Sequence, residues 1–167
     1  MLIQIDTREK PQAIRNILTA FDVAGVEYIR SKLYVGDYLN YDDPRTVIDR
    51  KRNIRELATN CTSERRRVEA ELHRAKKHGI KVIFLIEEAT CNGKPIHDYS
   101  DIMTWTPPRG FGTVSGYQVF RTMAAWSHHY NCEFVFCRKK ETGRMIIKLL
   151  GGGNGQGKGI RTAQSRN

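Results

Sequence analysis

Two carboxylates and a lysine recur here at a spacing that suits cutting a phosphodiester. Gly36-Asp37-Tyr38 is followed, after a short polar loop, by Val47-Ile48-Asp49-Arg50-Lys51, and Asp6-Thr7-Arg8-Glu9 lies upstream at the end of an apolar run. Mg²⁺ takes hard oxygen ligands and keeps several waters, so Asp37 and Asp49 together with a phosphate oxygen can hold it. Mn²⁺ accepts the same ligand types. Lys51 beside them can orient or deprotonate an attacking water and offset charge growing on the phosphoryl group. Asp6 can complete the metal shell directly or through a water, Arg8 suits a bidentate phosphate contact, and Glu9 can orient either.

These side chains need elements to present them. Leu2-Ile3-Gln4-Ile5 is rich in branched residues and predicts a first strand whose C-terminal end carries Asp6, Arg8 and Glu9. Sites in open sheets form at such ends. Residues 35–41 and 45–50 read as two strands joined as a hairpin through Asp42-Asp43-Pro44. Asp49 and Lys51 are two apart, which sends both to one face of their strand and Arg50, a supporting or phosphate-binding candidate, to the other, and Asp37 on the neighbouring strand can reach the Asp49 face. The plain alternatives are an exposed cross-strand ion pair worth ~0.5 kcal/mol, or, for Asp6, a cap on the helix that starts at Pro11. Val47 and Ile48 favour a strand packed in a core, and with it the metal site.

Further along, Ile14, Ile17, Leu18 and Phe21 form a helical stripe ending near Gly25. Helices are also expected over 53–59 and 63–78, the second with Ser63 as its N-cap and Gly79 as its stop. Its inward residues are Val68, Leu72 and Ala75. Among the outward arginines, Arg66 and Arg67 fall nearest the expected site and are candidates for phosphate contact. Residues 80–86 form a near-continuous apolar run, as in a central strand buried on both faces. Residues 90–112 read as a long irregular connection, in which Trp105, Arg109 and Phe111 either clamp a strand of DNA or simply pin the loop. Residues 116–130 are helical, 133–137 a strand, and 142–150 close the fold. Elements alternating in this way make an α/β sheet. Residues 151–167 begin with a glycine run and continue with Lys158, Arg161 and Arg166; lacking an apolar set to order them, they are expected to form a flexible basic tail.

At 167 residues and 40% hydrophobic content, the chain suits one domain over 1–150 with a sizeable core. A net charge of +10 and a pI near 9.7 attract a polyanion, with nucleic acid the natural partner, although basic balance alone also fits membrane surfaces. No apolar stretch approaches the ~20 residues of a membrane span, and no signal-peptide core opens the chain, so a soluble intracellular protein is expected. Cys61, Cys91, Cys132 and Cys137 show no CxxC pair and read as free thiols; Cys132, Cys137 and His128 or His129 miss the usual zinc spacing.

Asp6-Thr7-Arg8-Glu9, Gly36-Asp37-Tyr38 and Asp49-Arg50-Lys51 resemble, in order and spacing, the three signatures of the XPF-type structure-specific endonuclease domain, a branch of the PD-(D/E)XK nuclease superfamily. The likeness covers roughly residues 1–150, with 81–87 similar to the family's later buried strand. It implies a restriction-endonuclease-like α/β core: a mixed central sheet flanked by helices. It also implies Mg²⁺- or Mn²⁺-dependent endonuclease activity on branched or flapped DNA in repair, recombination or replication. The third signature usually begins with Glu and carries an acidic residue four positions after its Lys; this chain has Asp49, which the wider superfamily accepts, and Glu56 one place late. With no room for the helix-hairpin-helix module of eukaryotic members, the closer likeness is to compact phage or bacterial relatives. Such domains often act in pairs, as homodimers or as a catalytic and a noncatalytic subunit. The second reading is therefore a noncatalytic DNA-binding or scaffold module of the same fold. The intact Asp37, Asp49 and Lys51 argue against it. A nucleotide-binding domain ranks last, since residues 7–11 lack the glycines of a phosphate-binding turn.

Overall fold

A computed structural model describes residues 1–152; nearly all of the expected basic tail, 153–167, lies outside the described residues. Strand β1 (Leu2–Ile5) buries Ile3 and Ile5 completely. Helix α1 (Arg15–Val23) starts later than Pro11 implied, because residues 11–14 form a turn, and it buries Ile17 and Phe21. It leads into β2 (Glu27–Arg30), parallel to β1. The sequence pattern gives no hint of β2. It is an edge strand, half-buried at one position only, so it needs no apolar alternation.

The expected hairpin is present but shifted. Strand β3 (Tyr38–Asn40) begins only after Gly36, whose φ of +70° breaks an extended run from Val35. Strand β4 (Asp43–Lys51) pairs with it antiparallel down to Asn40 opposite Asp43, so Tyr41-Asp42 makes the turn and Pro44 lies inside the strand. Asp42 accepts the Leu2 amide at 3.1 Å, tying the turn to the start of β1.

Two helices follow. Helix α2 (Ile54–Cys61) is capped by Asn53, whose side chain accepts the Glu56 amide at 2.9 Å. Helix α3 (Arg65–Lys77) lacks the expected Ser63 cap, since its N-cap is Glu64 with no side-chain hydrogen bond. It ends before Gly79, at φ +67°. Then comes β5 (Lys81–Ile86), parallel to β4 and buried at five of six positions.

The stretch expected to be irregular has its own structure. Strands β6 (Thr90–Cys91) and β7 (Lys94–Pro95) form a small hairpin around Asn92-Gly93, and a 3-10 helix spans Tyr99–Thr104 within a capping box of Asp98 and Asp101. Helix α4 (Gly116–His129) opens with a Ser115–Gln118 capping box; strand β8 (Cys132–Phe136) and helix α5 (Thr142–Gly151) complete the fold.

The main sheet runs β2-β1-β3-β4-β5-β8 and is mixed, as expected. Alternation along β4 and β5 feeds two apolar layers. Val47 and Phe84 face α2, α3 and α4, while Ile48 and Leu85 face α1 and α5. The C-terminal ends of β1, β4 and β5 therefore emerge at one edge of the sheet, with the start of β3 between β1 and β4, and that edge carries the charged motifs.

Candidate active site

At this edge the backbone brings two of the motifs into register. Asp6 N–H donates to the Asp37 carbonyl at 2.8 Å, and Asp37 N–H donates to Ile48 at 2.8 Å. Gly36 makes the approach possible. A Cβ there would lie 3.0 Å from the Ile48 carbonyl oxygen and 3.1 Å from Val47 Cβ, on a backbone already in the left-handed region. No other residue type fits both demands.

The three residues ending β4 divide between the faces as the period of two requires. Lys51 Nζ lies 2.5 Å from Asp49 Oδ1 and 5.7 Å from the centre of the Phe84 ring, on the face of α2 to α4. Asp37 joins this pair. One of its oxygens accepts the Arg50 amide at 2.8 Å, and its charge interacts with both Asp49 and Lys51. Burial, and next the Asp49 carboxylate, push the Asp37 carboxyl up to about 8. Burial disfavours the Lys51 ammonium, but Asp49 and Asp37 outweigh it and hold Lys51 above its ordinary value.

Arg50 points the other way. Its guanidinium donates to Glu9 at 3.0 and 2.7 Å and to Glu87 at 3.0 Å. Tyr38 OH also donates to Glu9, at 3.1 Å, and Thr142 donates to the second Glu87 oxygen at 2.9 Å. Burial opposes the Arg50 charge, yet Glu9 and then Tyr38 and Glu87 more than compensate. The pairs knit the loop after β1 to β4, β5 and the start of α5. Glu9 and Arg50 are thus occupied with each other, on the far side of the sheet from Lys51.

Asp6 has partners of its own. It is wholly buried, and its oxygens accept the Arg8 amide at 2.7 Å, Arg8 Nε at 2.7 Å, Arg8 Nη2 at 3.1 Å and the Leu33 amide at 2.6 Å. Burial would raise its pKa, but these bonds, Arg8's first, hold it below the usual range. It does not cap α1. Arg8 remains largely exposed, with a further bond at 3.4 Å to the Gly36 carbonyl. On α3, Arg67 bonds Glu64 at 2.7 Å and lies 3.7 Å from Glu71, while Arg66 stands exposed. Glu71 reaches the site directly, accepting the Gly36 amide at 3.0 Å. Glu56, for its part, is held by Arg52 through the backbone amide at 3.1 Å and Nε at 2.9 Å.

Three contributors escape a reading of the sequence: Glu87, Thr142 and Glu71. Only Glu87 leaves a signal, as a charge ending the buried run of β5. Trp105, one of the candidate DNA clamps, sits in the core with Phe111 edge-on at 5.8 Å, while Arg109 is exposed. Cys61, Cys91, Cys132 and Cys137 are free and buried. Among the described residues no three His, Cys, Asp or Glu side chains converge as a metal cluster, and no helix is long and apolar enough to cross a membrane. Two carboxylates still fit Mg²⁺, which commonly binds through one or two and fills its shell with water and phosphate oxygens. The chemistry agrees, since burial and the neighbouring Asp49 carboxylate both penalise the charged form of Asp37, a penalty that a bound dication would relieve.

A mixed six-stranded sheet flanked by helices, with its charged motifs at the ends of β1 and β4, defines an α/β domain of the restriction-endonuclease-like kind. The ERCC4 domain family matches residues 5–149, and the chain belongs to that family, as its likeness to XPF-type nuclease domains implied. Among solved structures, XPF from Aeropyrum pernix superposes with a TM-score of 0.63 at 20% sequence identity, over 90% of this chain and 63% of that one. The same protein in complex with DNA matches equally well. The chain thus spans less than two thirds of the solved proteins it resembles. No curated protein matches its sequence.

Proposed function

We propose that this protein is a Mg²⁺- or Mn²⁺-dependent endonuclease that hydrolyses phosphodiesters in branched or flapped DNA. The observation that carries the proposal is the convergence of Asp37, Asp49 and Lys51 on one face at the sheet edge, in a chain of the ERCC4 domain family. Asp37 and Asp49 would hold the metal. Bound there, it supplies the Lewis acidity that polarises the phosphoryl oxygen.

The rest is done by the chain itself. Lys51, charged in its pair with Asp49, acts as a donor: it positions the water for in-line attack and offsets charge on the phosphoryl oxygens. It becomes a base only as Asp49 is drawn away from it. Asp6 fixes Arg8 at the rim, where the exposed guanidinium can take a phosphate, and Arg66 and Arg67 on α3 extend this rim. Glu9, Arg50 and Glu87 position rather than react, since they lock the ends of β4 and β5 from behind. The net charge of +10 favours a polyanionic substrate. The preference for branched or flapped DNA, and any pairing of subunits, rest on the family alone.

The test is cleavage of labelled single-stranded, duplex, flap, fork and four-way DNA with Mg²⁺, Mn²⁺ or chelator. Wild type should cut only with metal, and Lys51→Ala and Asp49→Asn should each lose at least a hundredfold in rate. A wild type that binds these DNAs and cuts none points to the noncatalytic scaffold module instead.

A further inference from the structure

Where the chain passes from β4 into α2, starting at Arg52 next to Lys51, lies a groove of about 380 Å³, walled on one side by α2 and on the other by Phe111. Arg52, Arg55, Glu56 and Thr59 line the helix side. The spacing puts them on one stripe of the helix and its entry. Glu56 ties the groove to the catalytic edge, for its carboxylate is held by Arg52 and its charge acts on Lys51. Arg52 and Arg55 are both exposed; Arg52 is paired with Glu56 at 2.9 Å, whereas Arg55 makes no ion pair among the described residues, so the groove offers a free guanidinium one helical turn from Arg52.

Phe111 is held there by the loop behind it. Trp105 is fixed in the core, its carbonyl accepting the Gly116 amide at 3.1 Å, and its ring meets Phe111 at 82°. Gly116 allows this closeness, since a Cβ there would lie 2.2 Å from the Ile102 carbonyl oxygen. The loop is pressed onto the start of α4, and Phe111 remains half-buried at its tip, lining the groove.

We infer that this groove is a subsite for an unpaired segment of DNA leading away from the cleaved phosphodiester, with Phe111 stacking on a base and Arg52 and Arg55 holding its phosphates. An aromatic wall facing guanidinium groups is the means by which proteins grip single strands. Only an unpaired base can use it, because in a duplex both faces of each base are already stacked. The inference rests on the nuclease proposal for its place near the centre, and it assigns the grip on the unpaired arm to Phe111, Arg52 and Arg55.

The test uses single-stranded and flap DNA carrying 2-aminopurine in the unpaired arm, titrated at low ionic strength with the full chain in chelator, alongside KM and kcat for cutting in Mg²⁺ or Mn²⁺. Phe111→Leu keeps apolar contact with Trp105 and removes the stacking face; Phe111→Tyr keeps both. Wild type and Phe111→Tyr should quench the probe. Phe111→Leu should lose the quenching and bind single-stranded DNA about 5- to 100-fold more weakly, with the loss in KM rather than kcat and no change for fully paired duplex. Arg55→Gln should weaken binding of all DNAs with an unpaired arm and flatten its salt dependence. Unaltered quenching or KM in Phe111→Leu overturns the subsite and leaves the nuclease standing. Quenching by a wild type that cuts nothing does the reverse.

Discussion

Asp37→Asn should make the metal-free protein more stable at neutral pH, although it removes a proposed metal ligand. In the fold the Asp37 carboxyl is pushed up to about 8, against 3.8 for a free aspartate, first by burial and then by Asp49. A carboxyl with a raised folded pKa makes folding take up a proton. Its contribution is most favourable below pH 4 and is lost as pH climbs from about 4 through 8. At pH 7 that loss approaches ~4 kcal/mol if every other charge is fixed. Asparagine does not titrate and keeps an oxygen for the Arg50 amide, now met at 2.8 Å. Allowing for relaxation of Lys51 and Asp49, the variant should gain ~1–4 kcal/mol over wild type at pH 7.5 in chelator, and nothing at pH 4. Urea unfolding at pH 4, 6 and 7.5, with chelator and with Mg²⁺, reads this directly. Mg²⁺ should restore wild type at pH 7.5 and do little for the variant. Parallel pH dependences for the two proteins, or a variant less stable at pH 7.5, would refute the reasoning.

Gly36→Ala should destabilise by ~2–4 kcal/mol, because a left-handed backbone and a Cβ 3.0 Å from the Ile48 carbonyl oxygen act together. Urea midpoints measure it, and a loss under ~1 kcal/mol contradicts the close approach. Arg50→Met leaves the buried Glu87 and the half-buried Glu9 without their cation and should cost ~3–5 kcal/mol; Arg50→Met with Glu87→Leu should recover part of that in calorimetry. If the double variant is no better than the single one, the guanidinium is not what holds β4 to β5.

Much of the site was legible because short-range rules decide it. The period of two alone separates Asp49 and Lys51 from Arg50, and the apolar run ending at Ile86 is a buried central strand as it reads. What escaped depends on contacts between segments far apart in the chain. Glu71 meets Gly36 across 35 residues, and Thr142 meets Glu87 across 55, and neither leaves a local pattern. The hairpin departs from its sequence pattern: the starts of its strands move by two or three positions and their ends by one, because the β3–β4 ladder shifts register between Leu39 and Asn40, which draws Asp43-Pro44 into β4 and leaves Tyr41-Asp42 as the turn. The edge strand β2 has no local signal for the opposite reason: little of it is buried, so its pairing with β1 imposes no apolar pattern.

Three consecutive charges in a strand are costly unless each has its own partner. Here alternation sends Lys51 and Asp49 to one face and Arg50 to the other, where Glu9 and Glu87 receive it. On the Lys51 face two carboxylates, Asp37 and Asp49, share one ammonium, whereas on the other face Glu9 and Glu87 enclose Arg50. The Arg50 network leaves its own share of the imbalance fixed, since Glu9 and Glu87 are shared around one guanidinium and pinned by Tyr38 and Thr142. Asp37, whose carboxyl burial and Asp49 push up to about 8, is the group left to respond. Under the proposed function a metal held there would displace that proton, so loading the metal and ionising Asp37 would be one event.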